Sequence, residues 1–176
     1  MNASASQLLA GHRILVTGGA RGLGLAFARS LVEAGAAVAI ADIRVELVES
    51  AAASLRASGF IAHAIAADLS DPVSIERCAG RAIECLGGLD GLVNNAAVTD
   101  SGGKGADDIA VETWDRVMNV NVRGTWLMSR ACRPALRGSG RGAIVNLASD
   151  TALWGAPNLL AYVASKGAVI SMTHSL

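Results

Sequence analysis

Arg13-Ile14-Leu15-Val16-Thr17-Gly18-Gly19-Ala20-Arg21-Gly22-Leu23-Gly24 decides the architecture of this 176-residue chain. An aliphatic run ends at a glycine-rich turn, and residues 23–34 follow with apolar positions at three- and four-residue spacing. That order predicts a strand, a tight turn and a helix. The glycines read Gly-x-x-x-Gly-x-Gly, with Phe27 where the commoner Gly-x-Gly-x-x-Gly pattern puts its last glycine. Gly18 permits the turn, Gly22 lets an anion approach the main chain, and Gly24 lets the helix pack close to the sheet. Free N–H groups at the helix N-terminus would meet a pyrophosphate. A glycine-rich turn also has a purely structural reading, but its place between the first strand and a helix favours phosphate binding.

Working outward, short runs at 37–41, 61–66, 89–94 and 143–147 alternate with helical patterns at 45–57, 73–86 and 111–136. Each parallel crossover needs a helix, so the alternation predicts a doubly wound α/β domain over residues 1–176. Gly35, Gly59 and Gly87-Gly88 close the first three helices, and Asp71-Pro72 opens the third as an N-cap with proline at the first helical position. Cys78 and Cys85, seven apart, are expected on one helix face. Residues 99–110 carry Gly102, Gly103 and Gly105 and read either as a mobile wall of a site or as a surface loop. After Ala161 an apolar helical pattern runs to Leu176 without a capping signal, and the fifth strand lacks charged or proline guards. The chain is therefore expected to stop inside an element.

Hydrophobic residues make up 52% and mean hydropathy is +0.41, so a core is readily supplied. Fifteen Lys and Arg balance fifteen Asp and Glu. That balance argues against a nucleic-acid or anionic-membrane partner, which would need a cationic face. No apolar run is long enough to span a bilayer, and the first residues lack a secretory pattern. Three cysteines without ligand spacing fit a reduced, cytoplasmic chain, and the scattered His12, His63 and His174 suggest no metal site.

Asp42 ends the second strand, 18 residues after Gly24. A carboxylate there accepts both hydroxyls of an adenosine ribose and repels a 2′-phosphate, favouring NAD over NADP. Asp42 also reads as a helix cap, and Arg21 and Arg44 could instead greet a phosphate. Asp68 is a candidate acceptor for an adenine amino group, or a turn residue. Tyr162, the chain's one tyrosine, and Lys166 lie four apart and project from one helix face. An ammonium beside a phenol favours the phenolate that general acid–base work requires. Ser149 follows the fifth strand and either donates to a substrate oxygen or caps a turn. Trp154 lines a pocket or packs, and Trp114 and Trp126 are expected in the core or at an interface.

The 17–24 loop, Asp68-Leu69, Asn94-Asn95-Ala96-Ala97, Asn121, Ser149 and Tyr162-Val163-Ala164-Ser165-Lys166 together resemble the short-chain dehydrogenases/reductases over the whole chain. The resemblance implies a Rossmann sheet with strand order 3-2-1-4-5, lacking the family's C-terminal strands and lid. It implies hydride transfer between NAD(P) and a secondary alcohol or ketone; the alternative is a nucleotide-binding fragment without catalysis. Tyr162 would be the general acid and base, and Lys166 would assist it while holding the nicotinamide ribose. Ser149 would stabilise the substrate oxygen, and Asn121 would anchor a water relaying protons to Lys166. Gly18, Arg21, Gly22, Leu23 and Gly24 would hold the pyrophosphate side of the cofactor. Asp42, Asp68, Leu69, Asn95 and Ala96 would hold its adenosine side. Asn94 would brace the sheet. The family resemblance also implies a homodimer or tetramer of the full-length protein. Ala97 departs from the family's usual glycine, Ala148 from a frequent second serine, and Asp150 puts a carboxylate beside Ser149, facing either a polar substrate or solvent.

Overall fold

Strands β1 (Arg13–Thr17), β2 (Ala37–Asp42), β3 (Ala62–Ala66), β4 (Gly91–Asn94) and β5 (Ala143–Asn146) form one parallel sheet in the predicted order 3-2-1-4-5. They belong to a computed structural model that describes residues 7–99 and 103–176. One row across the sheet runs His63, Ala39, Leu15, Leu92, Ile144. Helices α1 (Gly22–Glu33) and α2 (Val45–Ala57) cover one face, where Val16, Val38, Ile40 and Val48 are buried together. The other face holds Leu15, Leu92, Ile75 and Met128, beneath α3 (Pro72–Leu86) and α5 (Thr125–Gly138). Cover on both faces is why the strands read as near-continuous apolar runs rather than as alternation.

The punctuation works as its chemistry requires. Asp71 accepts hydrogen bonds from Val73 N–H at 3.0 Å and Ser74 N–H at 3.2 Å, with Pro72 at the first helical position. Gly87 ends α3 in the left-handed region. Cys78 is buried and Cys85 packs at the edge of the same cluster. Of the 99–110 segment, residues 100–102 lie outside the described residues.

The pattern at 111–136 is not one continuous α-helix. Helix α4 (Val111–Met118) widens into a π-helical turn, Asn119–Gly124, before α5 begins. The Asn121 side chain is drawn inward, pairing with both main-chain polar groups of Val98 at 2.9 Å and donating to Ser165 Oγ at 3.0 Å. At Gly124 a Cβ would stand 2.6 Å from the Leu69 carbonyl oxygen, so only glycine lets the turn sit that close. Apolar spacing alone does not register such a bulge. A short helix, α6 (Thr151–Trp154), and the last helix, α7 (Leu160–Ser175), complete the element order.

Two constraints organise the sheet edges. At the N-terminal ends of the strands, the fully buried Asp90 carboxylate receives Arg13 Nε at 2.8 Å, Arg13 Nη2 at 3.0 Å and Arg141 Nε at 3.1 Å. Those bonds join the starts of β1, β4 and β5. At the C-terminal ends, a Cβ on Gly24 would stand 2.1 Å from the Gly18 carbonyl oxygen, so α1 rests directly on the loop before it. Asn95 locks that arrangement, its amide donating to the carbonyls of Thr17 at 3.0 Å and Gly18 at 3.1 Å.

Hydrogen bonds from Arg13, aided by Arg141, outweigh burial and hold the Asp90 carboxyl far below the usual carboxylate range. A depressed carboxylate stabilises the fold fully above its unfolded value and loses that contribution as pH falls. Asp90→Asn should therefore lower urea stability at neutral pH by about 2 kcal/mol, less than a fully enclosed pair because both arginines reach solvent. The difference from the parent chain should shrink as pH drops below about 4. An equal deficit at every pH would contradict this. Gly24→Ala should cost about 2 kcal/mol or more by the same urea measurement, since the obstructing atom is main chain and cannot rotate away.

Candidate functional site

The five strands deliver their C-terminal ends to one edge of the sheet, where open α/β folds hold ligands. A cavity of about 450 Å³ lies there, lined by Gly18 and Arg21 from the first loop, Asp42 at the end of β2 and Arg44 after it, Asp68 and Leu69 after β3, and Ala96 after β4. The structure thus brings most of the predicted adenosine-side and loop residues around one space. Leu23, 66% exposed, stands in the first turn of α1. That turn has an extended residue, Arg21, at its N-cap with no side-chain cap and no acidic residue, leaving its N–H groups open to an anion.

Asp42 is 5% exposed. Its carboxylate accepts from Ala20 N–H at 3.2 Å and Arg44 N–H at 3.1 Å, and takes the Arg44 guanidinium at 2.9 and 3.0 Å. Burial pushes its pKa up, but the Arg44 side chain and the two main-chain N–H groups more than reverse this, and the carboxyl is held below its usual value. Asp68 spends one oxygen on Ser70, accepting from its N–H at 2.8 Å and its hydroxyl at 2.7 Å, so the turn reading of Asp68 holds for half the carboxylate. The Asn95 side-chain amide goes to the loop carbonyls, and its N–H and that of Ala96 both reach Thr17 Oγ1 at 3.1 Å.

The second group of residues sits on α7 and the segment after β5. Lys166 is 5% exposed, donates to the Leu147 carbonyl and stands 5.6 Å from the centre of the Tyr162 ring. Burial pushes the Lys166 pKa down. Ser165 Oγ donates to the Tyr162 carbonyl at 2.7 Å and receives Asn121, so the π-turn buttresses the helix that carries Tyr162. Both N–H groups of the Asn121 amide are thereby committed to Val98 and Ser165.

Ser149 Oγ accepts from Thr151 Oγ1 at 2.8 Å and Thr151 N–H at 3.3 Å, and lies 3.4 Å from Asp150 Oδ1. Two donors on the oxygen leave the single hydroxyl proton for an outside acceptor or for Asp150. Thr151 escaped the sequence reading; its place two residues after Ser149 is the signal that pointed to it. Trp154 is 61% exposed with Nε1 3.4 Å from Asp150 Oδ2, which excludes core packing. Trp126 is also not core: it is 45% exposed, with Arg130 5.4 Å over its ring.

Asn94 does brace the sheet, donating to Asn146 Oδ1 at 2.8 Å and Ser129 Oγ at 3.0 Å. Burial pushes the Cys78 and Cys132 thiols up to about 12, which makes them poor nucleophiles. Among the described residues no cluster of His, Cys, Asp or Glu could hold a metal ion, and no helix is long and apolar enough to cross a membrane.

A family profile described as short chain dehydrogenase matches residues 12–176. The sorbitol dehydrogenase of Cereibacter sphaeroides is 43% identical over 168 residues, covering 95% of this chain and 64% of its own length. The chain thus spans just under two thirds of the length of the curated relatives it matches. A short chain dehydrogenase of Burkholderia cenocepacia J2315, solved in complex with NADP, superposes with a TM-score of 0.88 at 40% identity, covering 95% of this chain and 67% of the other. An NAD+-bound xylitol dehydrogenase gives 0.90 at 32% identity, with 96% and 65% covered. The glycine loop under α1, the 3-2-1-4-5 sheet and a profile match over nearly every residue have one common explanation: the chain belongs to the short-chain dehydrogenase/reductase family.

Proposed function

We propose that the protein represented by this chain is a nicotinamide-dependent oxidoreductase acting on a secondary alcohol or the matching ketone. The observation that carries the reading is the Lys166 ammonium, buried and held 5.6 Å from the centre of the one tyrosine ring in the chain. The residues fit a dinucleotide: the Gly18–Gly24 contact has room for no side chain, and the uncapped first turn of α1 opens beside the cavity. Gly18, Gly22 and the first N–H groups of α1, including those of Leu23 and Gly24, would hold the pyrophosphate, with Arg21 beside them. Asp42, Asp68, Leu69, Asn95 and Ala96 would hold or frame the adenosine half, and Asp42 supports NAD(H) over NADP(H). Lys166 would hold the far ribose.

A nicotinamide held there would supply hydride exchange with the carbinol or carbonyl carbon of the substrate. Tyr162 Oη accepts the substrate hydroxyl proton in oxidation and returns it to the carbonyl oxygen in reduction. Lys166 stabilises the negative charge that forms on the Tyr162 oxygen during the exchange. Ser149, its lone pairs filled by Thr151, directs its proton to the substrate oxygen and stabilises developing alkoxide charge. Asn121 fixes the distance between the π-turn and α7 and so positions Tyr162 and Lys166. Sugar alcohols are the substrate class the sorbitol and xylitol dehydrogenase relatives favour, and Asp150, exposed beside Ser149, offers a hydroxyl acceptor for one.

The test is a fluorescence titration with NADH, followed by NAD-dependent oxidation of a panel of polyols and cyclic secondary alcohols. Tyr162→Phe should leave NADH affinity within about twofold while lowering turnover by at least about a thousandfold, the scale of general acid–base catalysis with its positioning. Turnover retained in this variant would overturn the acid–base assignment. Cofactor binding without turnover by the parent chain would leave a nucleotide-binding module.

A further inference from the structure

The hydrogen-bonding capacity of Ser149 is divided unevenly. A hydroxyl offers one proton and two lone pairs. Both lone pairs go to one residue: Thr151 Oγ1 donates at 2.8 Å and Thr151 N–H at 3.3 Å. The main-chain bond is the ordinary local turn of a serine. The threonine hydroxyl is an addition to that turn, and it leaves Ser149 only a proton to give. A serine free to rotate would accept from a substrate alcohol as readily as donate to it.

The Ser149 proton faces a carboxylate. Asp150 Oδ1 lies 3.4 Å from Ser149 Oγ, and Asp150 Oδ2 takes Trp154 Nε1–H, also at 3.4 Å. Both bonds are long; a hydroxyl that settles on a carboxylate closes to about 2.5–2.7 Å. Asp150 is exposed, and no cation pairs with it among the described residues. Its charge is therefore neither neutralised nor saturated. A substrate oxygen that draws the Ser149 proton away takes a donor from this carboxylate, which favours a substrate that brings a donor of its own. The two oxygens of a gauche vicinal diol lie about a hydrogen-bond length apart, which matches the 3.4 Å between Ser149 Oγ and Asp150 Oδ1.

We propose that Ser149 and Asp150 form a donor–acceptor pair for a vicinal diol or the matching α-hydroxy ketone. Thr151 is the positioning residue that keeps Ser149 a donor, and Asp150 is the specificity-determining residue that takes the neighbouring hydroxyl. The inference rests on the reading that Ser149 meets the substrate oxygen of an alcohol dehydrogenase, and it names that substrate more closely. No proton changes owner in the exchange: the Ser149 O–H turns from Asp150 to the substrate oxygen, and the neighbouring substrate hydroxyl turns onto Asp150.

The experiment compares a vicinal cyclopentanediol with cyclopentanol, which differ by one hydroxyl, in the parent chain and in Asp150→Ala, Thr151→Val, Thr151→Ser and Ser149→Ala. NAD-dependent oxidation gives kcat and KM, calorimetry gives alcohol binding to the NADH-loaded chain, and circular dichroism checks folding. The parent should favour the diol at least about tenfold in both readouts, the scale of one hydrogen bond to a charged group. Asp150→Ala should bring the two alcohols within about twofold, through loss of diol affinity. Thr151→Val should lower kcat on both alcohols at least about tenfold with KM little changed, and Thr151→Ser should recover most of that loss. In a Ser149→Ala background Thr151→Val should cost nothing further, whereas a merely structural threonine would still be missed. A diol preference that survives Asp150→Ala, or is absent from the parent, overturns the role of Asp150. A Thr151→Val loss that persists beside Ser149→Ala, or no loss at all, overturns that of Thr151. Should Thr151→Val fail to fold, Thr151→Ala takes its place in the same cycle. No turnover of either alcohol by the parent chain overturns the dehydrogenase reading and this inference with it.

Discussion

The seating of α1 on the Gly18 carbonyl is the constraint on which the rest of the edge depends. Because Gly24 carries no side chain, α1 can sit directly on the short loop that follows β1, with its first N–H groups left uncapped at the C-terminal edge of the sheet. Asn95, 77 residues beyond Gly18, then ties the loop to the strand on its other side. Thr17 completes the link by receiving the N–H groups of Asn95 and Ala96 on one hydroxyl. Main-chain polar groups that would otherwise be lost at the end of a buried strand are thereby satisfied within the protein. The cavity inherits its shape from those bonds.

A second framework, polar and mostly buried, carries the Tyr162 helix. Asn94 reaches Asn146, Asn146 donates to Thr173, and Thr173 donates to the Val169 carbonyl within α7. Lys166 binds the Leu147 carbonyl just past β5, and Asn121 meets Ser165. These contacts are directional where an apolar interface would slide, so they hold α7 against β5 and the π-turn at a set rotation. A helix that presents a phenol and an ammonium from one face needs that rotation fixed. The Asn121 side chain joins the π-turn to α7 through Ser165.

Much of the fold was legible because its causes are local. The β1 boundaries, the Asp71 cap, the left-handed glycines after the helices and the alternation that demands a parallel sheet all act within a few residues. The candidate site rests on equally local signals, the glycine spacing and the Tyr162–Lys166 interval. What stayed hidden acts across the chain or against the period. The π-turn keeps the apolar rhythm while changing its pitch, so residues 111–136 read as one helix. The Asp90 clamp joins groups 77 and 51 residues apart. Arg44 is near Asp42 in sequence, yet only the folded structure shows that its guanidinium and main-chain N–H occupy both carboxylate oxygens.

Lys166 has a further consequence for the molecule as a whole. It is a cation almost withdrawn from water, with a carbonyl for a partner and no carboxylate among its hydrogen bonds. Burial lowers its proton affinity relative to the unfolded chain, so over the interval between its two proton affinities the unfolded form holds the proton more firmly. Folding and deprotonation at this one nitrogen are therefore linked, and the fold gains strength as pH rises through the interval below the ordinary lysine value. A cation at this position thus weighs against the fold at neutral pH, and a neutral side chain of similar length would hold α7 without that burial cost.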